Sequence, residues 1–253
     1  MEWQKHPSIQ EALDWEMQQI TYNTYRTDDI KRNLKRMNIN WLDVMVTGVT
    51  GAGKSTTLNS FFQKTVAKVG DGVDPETMDI GCYTLNNQFK LWDTPGLGDG
   101  VRLDQIHKKK MIDLLYKTYG DENNGYIDMV IVIIEGANRD MGTTYTLLNE
   151  VIVPNIQKDR ILVLINQADV AMKGRHWNSS INRPDATLLS FLDDQALSVQ
   201  KRVLEATGVK ILKPVCYSAE YGWNVKAVFD FIIDHMPTGK TKAHDLRRSS
   251  HGK

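Results

Sequence analysis

Apolar and polar positions along the chain follow two alternating rhythms. Leu42 to Val46, Ile161 to Ile165 and Ile211 to Cys216 are short, largely apolar stretches, and Ile127 to Ile134, with its run M-V-I-V-I-I, is apolar on both faces. Such runs predict strands inside a sheet that is covered on both sides. Between them, apolar residues recur at spacings of three and four, the helical period. Ser8 and Glu11 form a capping box after Pro7, opening a helix with Ile9, Leu13, Met17 and Ile20 on one face. A second helix is predicted from Thr27, with Asp28 and Asp29 in its first turn and Ile30, Leu34 and Met37 aligned. Its basic residues Lys31, Arg32, Lys35 and Arg36 come toward the end, as the helix dipole favours. Further helices are predicted over Ser55 to Val66, Leu103 to Tyr116, Thr143 to Ile152, Ala186 to Ala206 and Val225 to Ile233. The first of these aligns Leu58, Phe61, Phe62 and Val66.

One pair of strands breaks the alternation. Met78 to Leu85 and Phe89 to Trp92 are separated by a short segment containing Asn86-Asn87, a pair that tolerates the positive φ of a tight hairpin, so these strands should run antiparallel. Elsewhere strand and helix alternate, which predicts an α/β fold with a mostly parallel sheet. Residues 1–40 read as a helical extension packed on a main domain of residues 41–236, and residues 237–253 as a basic, flexible tail. Val170 to Ala186 reads as a long irregular stretch.

Composition narrows the picture. A chain of 253 residues, 41% hydrophobic and 25% charged, buries one sizeable core. Lys plus Arg and Asp plus Glu are both 31, so there is no direct nucleic-acid signal. The cluster Lys31 to Arg36 fits a partner surface or a solvated helix face. A membrane contact could use only the tail, with Lys240, Lys242, Arg247, Arg248 and Lys253, which also reads as a plain solubilising segment. Cys82 and Cys216 sit singly in strand-like runs and are read as buried thiols, with neither zinc nor disulfide spacing. The first residues lack the apolar stretch of a leader, and no apolar run is long enough to span a bilayer. A soluble, intracellular and cytoplasmic protein is the expectation.

The chemistry lies at strand ends. Gly48-Val49-Thr50-Gly51-Ala52-Gly53-Lys54-Ser55 fits the phosphate-loop pattern G-x-x-x-x-G-K-[ST], which chance supplies in roughly one chain in a hundred of this length. Glycines let backbone N–H groups wrap a polyphosphate, and the helix that follows adds its dipole. Lys54 would reach the phosphates and Ser55 a magnesium ion. Asp93-Thr94-Pro95-Gly96 follows a second strand; its acid can hold a magnesium-bound water and the Gly96 N–H can face a phosphate. Asn166-Gln167-Ala168-Asp169 and Ser218-Ala219 follow two more. In parallel sheets ligands bind at the carboxyl ends of strands, so four stretches spread over 170 residues should converge there.

In this order the motifs resemble P-loop GTPases of the Era-like class, and more narrowly the bacterial YfjP/YeeP type, over residues 41–236. The resemblance implies a three-layer G domain with a six-stranded, mostly parallel sheet whose second strand is antiparallel. It implies GTP/GDP and Mg²⁺ as ligands and a GTP-dependent switch with hydrolysis. Nucleotide contacts would come from Gly48, Thr50, Gly51, Ala52, Gly53, Lys54, Ser55, Thr56, Asn166, Gln167, Asp169, Ser218 and Ala219. Ser55, Thr77 and Asp93 would serve the metal, and Lys54, Thr77 and Gly96 the reaction. Asp169 would pair with the N1–H and amine of guanine, Asn166 would tie the base pocket to the phosphate loop, and the Ala219 N–H would meet the guanine carbonyl. Three positions depart from the family pattern. Gln167 stands for the usual lysine that lies over the base, Leu97 where Ras-like proteins place a water-orienting glutamine although Era-like relatives share a hydrophobic residue there, and Gly51 where some relatives have a potassium-binding asparagine. Hydrolysis is therefore expected to be slow, with help from a GTP-dependent homodimer or an activating protein; Arg139 and Arg175 are the candidate arginines. Ala171 to Trp177 reads as a lid, a dimer contact or a solvated loop. The competing functions are a nucleotide-dependent scaffold that does not hydrolyse and an ATP-dependent phosphotransferase.

Overall fold

The computed structural model describes residues 22, 24–62, 80–85, 87–118, 124–137 and 141–241. In chain order its elements are α1 (Thr27–Met37), β1 (Leu42–Gly48), α2 (Lys54–Phe62), β2 (Gly81–Leu85), β3 (Phe89–Asp93), α3 (Val101–Tyr116) and β4 (Met129–Glu135). They continue with α4 (Gly142–Leu147), which runs into a π turn over Leu148–Ile152, then β5 (Ile161–Asn166), β6 (Trp177–Asn178) and β7 (Arg183–Pro184). The chain ends its regular structure with α5 (Ala186–Thr207), β8 (Val215–Cys216) and α6 (Val225–Asp234).

Six strands form one sheet in the order β2-β3-β1-β4-β5-β8. All neighbours are parallel except β2 and β3, the expected hairpin, with Asn87 at φ 58° in its turn. The doubly apolar strand β4 shows why helices cover both faces. Met129, Ile131 and Ile133 point into a cluster shared with α1, α2 and α6, through Ile30, Leu34, Leu58, Phe61, Val228 and Phe229. Val130, Val132 and Ile134 point into a second cluster with α3 and α5, through Met111, Leu115, Ala196 and Val203. This is the three-layer G-domain fold. α1 is part of the first core: Tyr22 stacks on Phe229 at 4.7 Å, and Arg26 pairs with Asp230 and Asp234 of α6. The helix expected over residues 8–20 lies outside the described residues.

Several expectations are corrected. The last strand was expected from Ile211, but only Val215–Cys216 pairs. Pro214 has no N–H to give a ladder, and the Ile211 carbonyl accepts from Gln200 Nε2 instead. Val170 to Ala186 is not irregular throughout: a tight turn with Met172 and Lys173 in the left-handed region spans Ala171–Gly174, and β6 pairs antiparallel with β7. Cys82 and Cys216 are strand residues, as expected, but each is half-buried rather than fully buried. Burial still pushes their thiols up, to about 11 and about 12, which keeps both unreactive.

Residues 239–241 also differ from the expected flexible tail. Gly239 accepts from Arg160 Nη2 at 2.7 Å, the Thr241 carbonyl accepts from the Gly125 N–H at 2.7 Å, and the Thr241 hydroxyl donates to Ile127 O. Between them Lys240 donates to Asp128 at 3.0 Å. Asp128 and Asp43 are both fully buried, and burial raises the Asp128 carboxyl to about 6 even with Lys240 opposing the shift. Trp92 Nε1 and Trp41 Nε1 donate to the two oxygens of Asp43. This cluster closes the edge where the strands begin, opposite the ends that carry the motifs.

Candidate nucleotide site

Gly48, the last residue of β1, leads into a loop that only glycine can follow closely. A Cβ at Gly48 would lie 2.3 Å from the Ile133 carbonyl oxygen, and one at Gly53, where φ is 80°, would lie 2.3 Å from Asn166 Nδ2. The loop ends at Lys54, the first residue of α2. The N-terminal turn of α2 is braced from the far side of the first core. Tyr217, fully buried, bonds through its hydroxyl to Thr57 Oγ1 at 2.7 Å, and Thr57 Oγ1 donates to Gly53 O at 2.8 Å.

Lys54 Nζ curls back over the loop and donates to Val49 O at 3.1 Å. Burial lowers its pKa, while Asp93, Asp99 and Glu135 work in the opposite direction. Ser55 Oγ donates to Asp93 Oδ2 at 3.2 Å, so the two described groups expected to serve a metal already stand together. A hydroxyl and a carboxylate, both oxygen donors, fit a magnesium ion that keeps most of its water. Among the described residues no cluster of His, Cys, Asp or Glu forms an all-protein metal cage, and a magnesium ion held partly by phosphates needs none.

The segment after β3 lies directly across the loop. A Cβ at Gly96 would sit 2.6 Å from Thr50 N and 2.8 Å from Lys54 Nζ. The Thr50 N–H donates to Leu97 O at 2.8 Å, and the Thr50 hydroxyl donates to Asp99 Oδ2 at 2.9 Å. The Leu97 side chain is fully buried in the second core, away from the site. His107 of α3 bonds through Nδ1 to Gly96 O at 2.8 Å, which makes Nδ1 the protonated nitrogen. Gly98 and Gly100, at φ 116° and 108°, flank Asp99, and Asp104 Oδ1 accepts from the N–H groups of Gly98 and Asp99.

The other end of the site is a cavity of about 260 Å³ lined by Gly53, Thr56, Asn166, Gln167, Asp169, Val170 and Glu220. Asn166, buried, donates from Nδ2 to Ala52 O at 3.0 Å and accepts the Ala219 N–H on Oδ1 at 3.0 Å. It therefore ties together the phosphate loop and the two base-side motifs. The Ala219 N–H, expected to meet a base carbonyl, is donated to Asn166. Asp169 Oδ1 accepts from Ser218 Oγ at 2.6 Å, which fixes the carboxylate facing the cavity. Gln167, expected to lie flat over a base, adopts φ 62° and donates from Nε2 to Gly51 O at 2.8 Å. A larger groove of about 770 Å³ lies beyond the Ala219–Glu220 turn, walled by Tyr22, Tyr221, Trp223 and Lys226. No phosphate-loop residue lines it, so the smaller cavity is the one continuous with the glycine loop.

The structure thus brings the glycine loop, Asp93, Gly96, Asn166, Asp169 and Ser218 to one edge. Thr77 and Arg139 lie outside the described residues. Arg175 is exposed and its Nε donates to Met172 O. Sequence reasoning missed four contributors. Glu135 ends β4, a position that the strand-end argument covers, and its Oε1 would lie 3.3 Å from a Cβ at Gly51. Asp99 lies just past Gly96 and Leu97, between two glycines. His107 and Tyr217 act through contacts 11 and 160 residues distant in sequence, for which no local signal exists.

A family model described as 50S ribosome-binding GTPase matches residues 43–167. Among curated proteins none matches the sequence. Among solved structures, a dimerization-deficient mutant of Toc33 from Arabidopsis thaliana is similar with TM-score 0.55 and 17% identity, over 87% of this chain and 94% of that one. Toc33 in complex with GDP and Mg²⁺ gives 0.53 and 18%, over 81% of each chain. Era from Aquifex aeolicus bound to GDP·AlF4⁻ gives 0.48 and 18%, over 79% of this chain and 58% of that chain, so this chain spans less than two thirds of Era's length.

Proposed function

We propose that this chain, whose residues 43–167 match a GTPase family model, is a P-loop GTPase: a GTP- and GDP-binding switch protein that uses Mg²⁺ and hydrolyses GTP slowly. The observation that carries the reading is the fixed Asp169 carboxylate at a cavity continuous with the glycine loop. Guanine offers that carboxylate two donors, N1–H and the exocyclic amine. Adenine offers an acceptor at the equivalent ring nitrogen and leaves the acid unpaired. The reported binding of GDP and Mg²⁺ by Toc33 agrees with this assignment.

Lys54 swings from the Val49 carbonyl to the terminal phosphates as a point charge, and the loop N–H groups take the remaining oxygens. Ser55 and Asp93 hold the metal side, with Thr77 proposed as the first-switch threonine. Mg²⁺ held there would neutralise negative charge that develops on the phosphates. Gly96 offers its N–H to the terminal phosphate, with His107 fixing its carbonyl. Leu97 presents no polar group to an attacking water, because its side chain is in the core. The isolated protein is therefore expected to turn over at roughly 10⁻⁴ to 10⁻² per second. A homodimer formed around GTP, or an activating protein, would raise that rate; Arg139 and Arg175 are the first residues to substitute in testing it. The YfjP/YeeP type remains the narrower group that the motifs resemble most.

Competition of ATP against labelled GTP tests the reading. A preference for GTP of at least about a hundredfold is expected, since an unpaired buried acid costs on the order of 3 kcal/mol. Equal competition by ATP would point to the phosphotransferase instead. Phosphate release followed over hours distinguishes slow hydrolysis from the non-hydrolysing scaffold, which the buried Leu97 favours.

A further inference from the structure

Resting on that reading, we propose that Asp99 is a specificity residue that competes with the terminal phosphate of GTP and so biases the site toward GDP. Three contacts support it. The Asp99 carboxylate receives the Thr50 hydroxyl at 2.9 Å, on the loop that must wrap the phosphates. The adjoining Leu97 carbonyl takes the Thr50 N–H at 2.8 Å, a donor that a phosphate would otherwise use. Gly96 is so close that a Cβ there would lie 2.8 Å from Lys54 Nζ, so the segment stands where the lysine must extend to meet a third phosphate.

The charges at this mouth point the same way. Asp93, Asp99 and Glu135 all act on the Lys54 ammonium. A magnesium ion would offset Asp93, the acid beside Ser55, whereas Asp99 shares the Lys54 ammonium with the negative charge that a third phosphate adds. A diphosphate stops short of this contact; a triphosphate must displace it. The hinges for that displacement are present. Gly98 and Gly100 hold positive φ, a Cβ at either would meet nothing within 4 Å, and Asp104 accepts both N–H groups of the intervening turn. Asp99 itself is exposed, so its rotation away leaves no buried group unpaired.

Asp99→Asn keeps the oxygen that accepts the Thr50 hydroxyl and removes the charge; Asp99→Ala removes both. Titration of labelled GDP and a labelled non-hydrolysable GTP analogue into the parent and both variants reads the effect. Both variants should raise the ratio of GTP to GDP affinity about tenfold while GDP affinity stays within about twofold. The gain over the parent should shrink as salt is raised from about 0.05 M to about 0.5 M, because exposed charges are screened. A ratio unchanged in both variants overturns the inference. A gain in the alanine variant alone overturns it as well, because the hydrogen bond and not the charge would then discriminate. A parent that binds neither nucleotide overturns the GTP-binding reading itself, an outcome plainly different from intact binding with an unchanged ratio.

Discussion

At the base end of the site, Asn166 holds Ala52 and Ala219 from a buried position, and Ser218 holds Asp169. At the phosphate end, Thr50, Gly96, Leu97 and Asp99 contact one another through loops with glycine on either side. The first end is rigid because its bonds run between ends of packed strands. The second is held by hydrogen bonds between its own loops, which on the proposed reading give way to a third phosphate. On the proposed reading, base recognition is built before the ligand arrives, whereas the ligand shapes the phosphate end.

Substituting the strongest group at the mobile end should give the largest effect. Lys54→Ala removes a unit charge, worth about 4 kcal/mol at ~4 Å and an effective dielectric of ~20, so GTP affinity by calorimetry should fall roughly a thousandfold. An unchanged affinity would make the loop structural only and end the comparison. At the rigid end, Asp169→Asn should cut the preference for guanine over adenine about a hundredfold and favour xanthine nucleotides, whose extra carbonyl accepts from the new amide. Retained guanine preference in a competition assay would mean that another group reads the base.

Asn166→Ala sharpens the contrast further, because it unties the rigid end from the loop. It leaves a buried carbonyl and a buried N–H unpaired at a cost of about 1–3 kcal/mol. GTP and GDP affinity should fall together, roughly tenfold, and thermal unfolding should move down by about 2–8 °C. A loss confined to GTP would show that the two ends are not separate. The smallest effect is expected for Leu97→Gln. Since that side chain enters the core, the new amide is buried, and phosphate release should change by less than about tenfold while stability drops by about 1–3 kcal/mol. A hundredfold faster turnover would mean that the position swings into the site.

The rigid end was the more legible in sequence. Asn166 to Asp169, Ser218 and Ala219 each follow an apolar run, and the strand-end rule alone brings them together. The antiparallel hairpin in an otherwise parallel sheet also followed from apolar runs and one Asn-Asn turn, whereas the order of the six strands did not. The mobile end was legible in its residue types and not in their arrangement. Leu97 was placed correctly on the chain, yet whether an apolar residue in a glycine-rich loop faces solvent or core depends on what α3 and β4 offer it. Asp99 bonds to Thr50, 49 residues away, and no periodicity encodes such a contact. Ile211 to Pro214 looked like strand because apolarity was read without counting donors, and Pro214 has none.

The cluster at the far edge sets an order of events in the life of the chain. Asp128 leaves the ribosome 112 residues before Lys240, the cation that it meets in the finished protein. At about 5–20 residues per second that separation lasts roughly 6 to 20 s. Through that interval β1 and β4 can pair, but a carboxylate between them has no ammonium partner and favours its protonated form. Gly239 to Thr241 are therefore made after both of the strands whose edge they fasten.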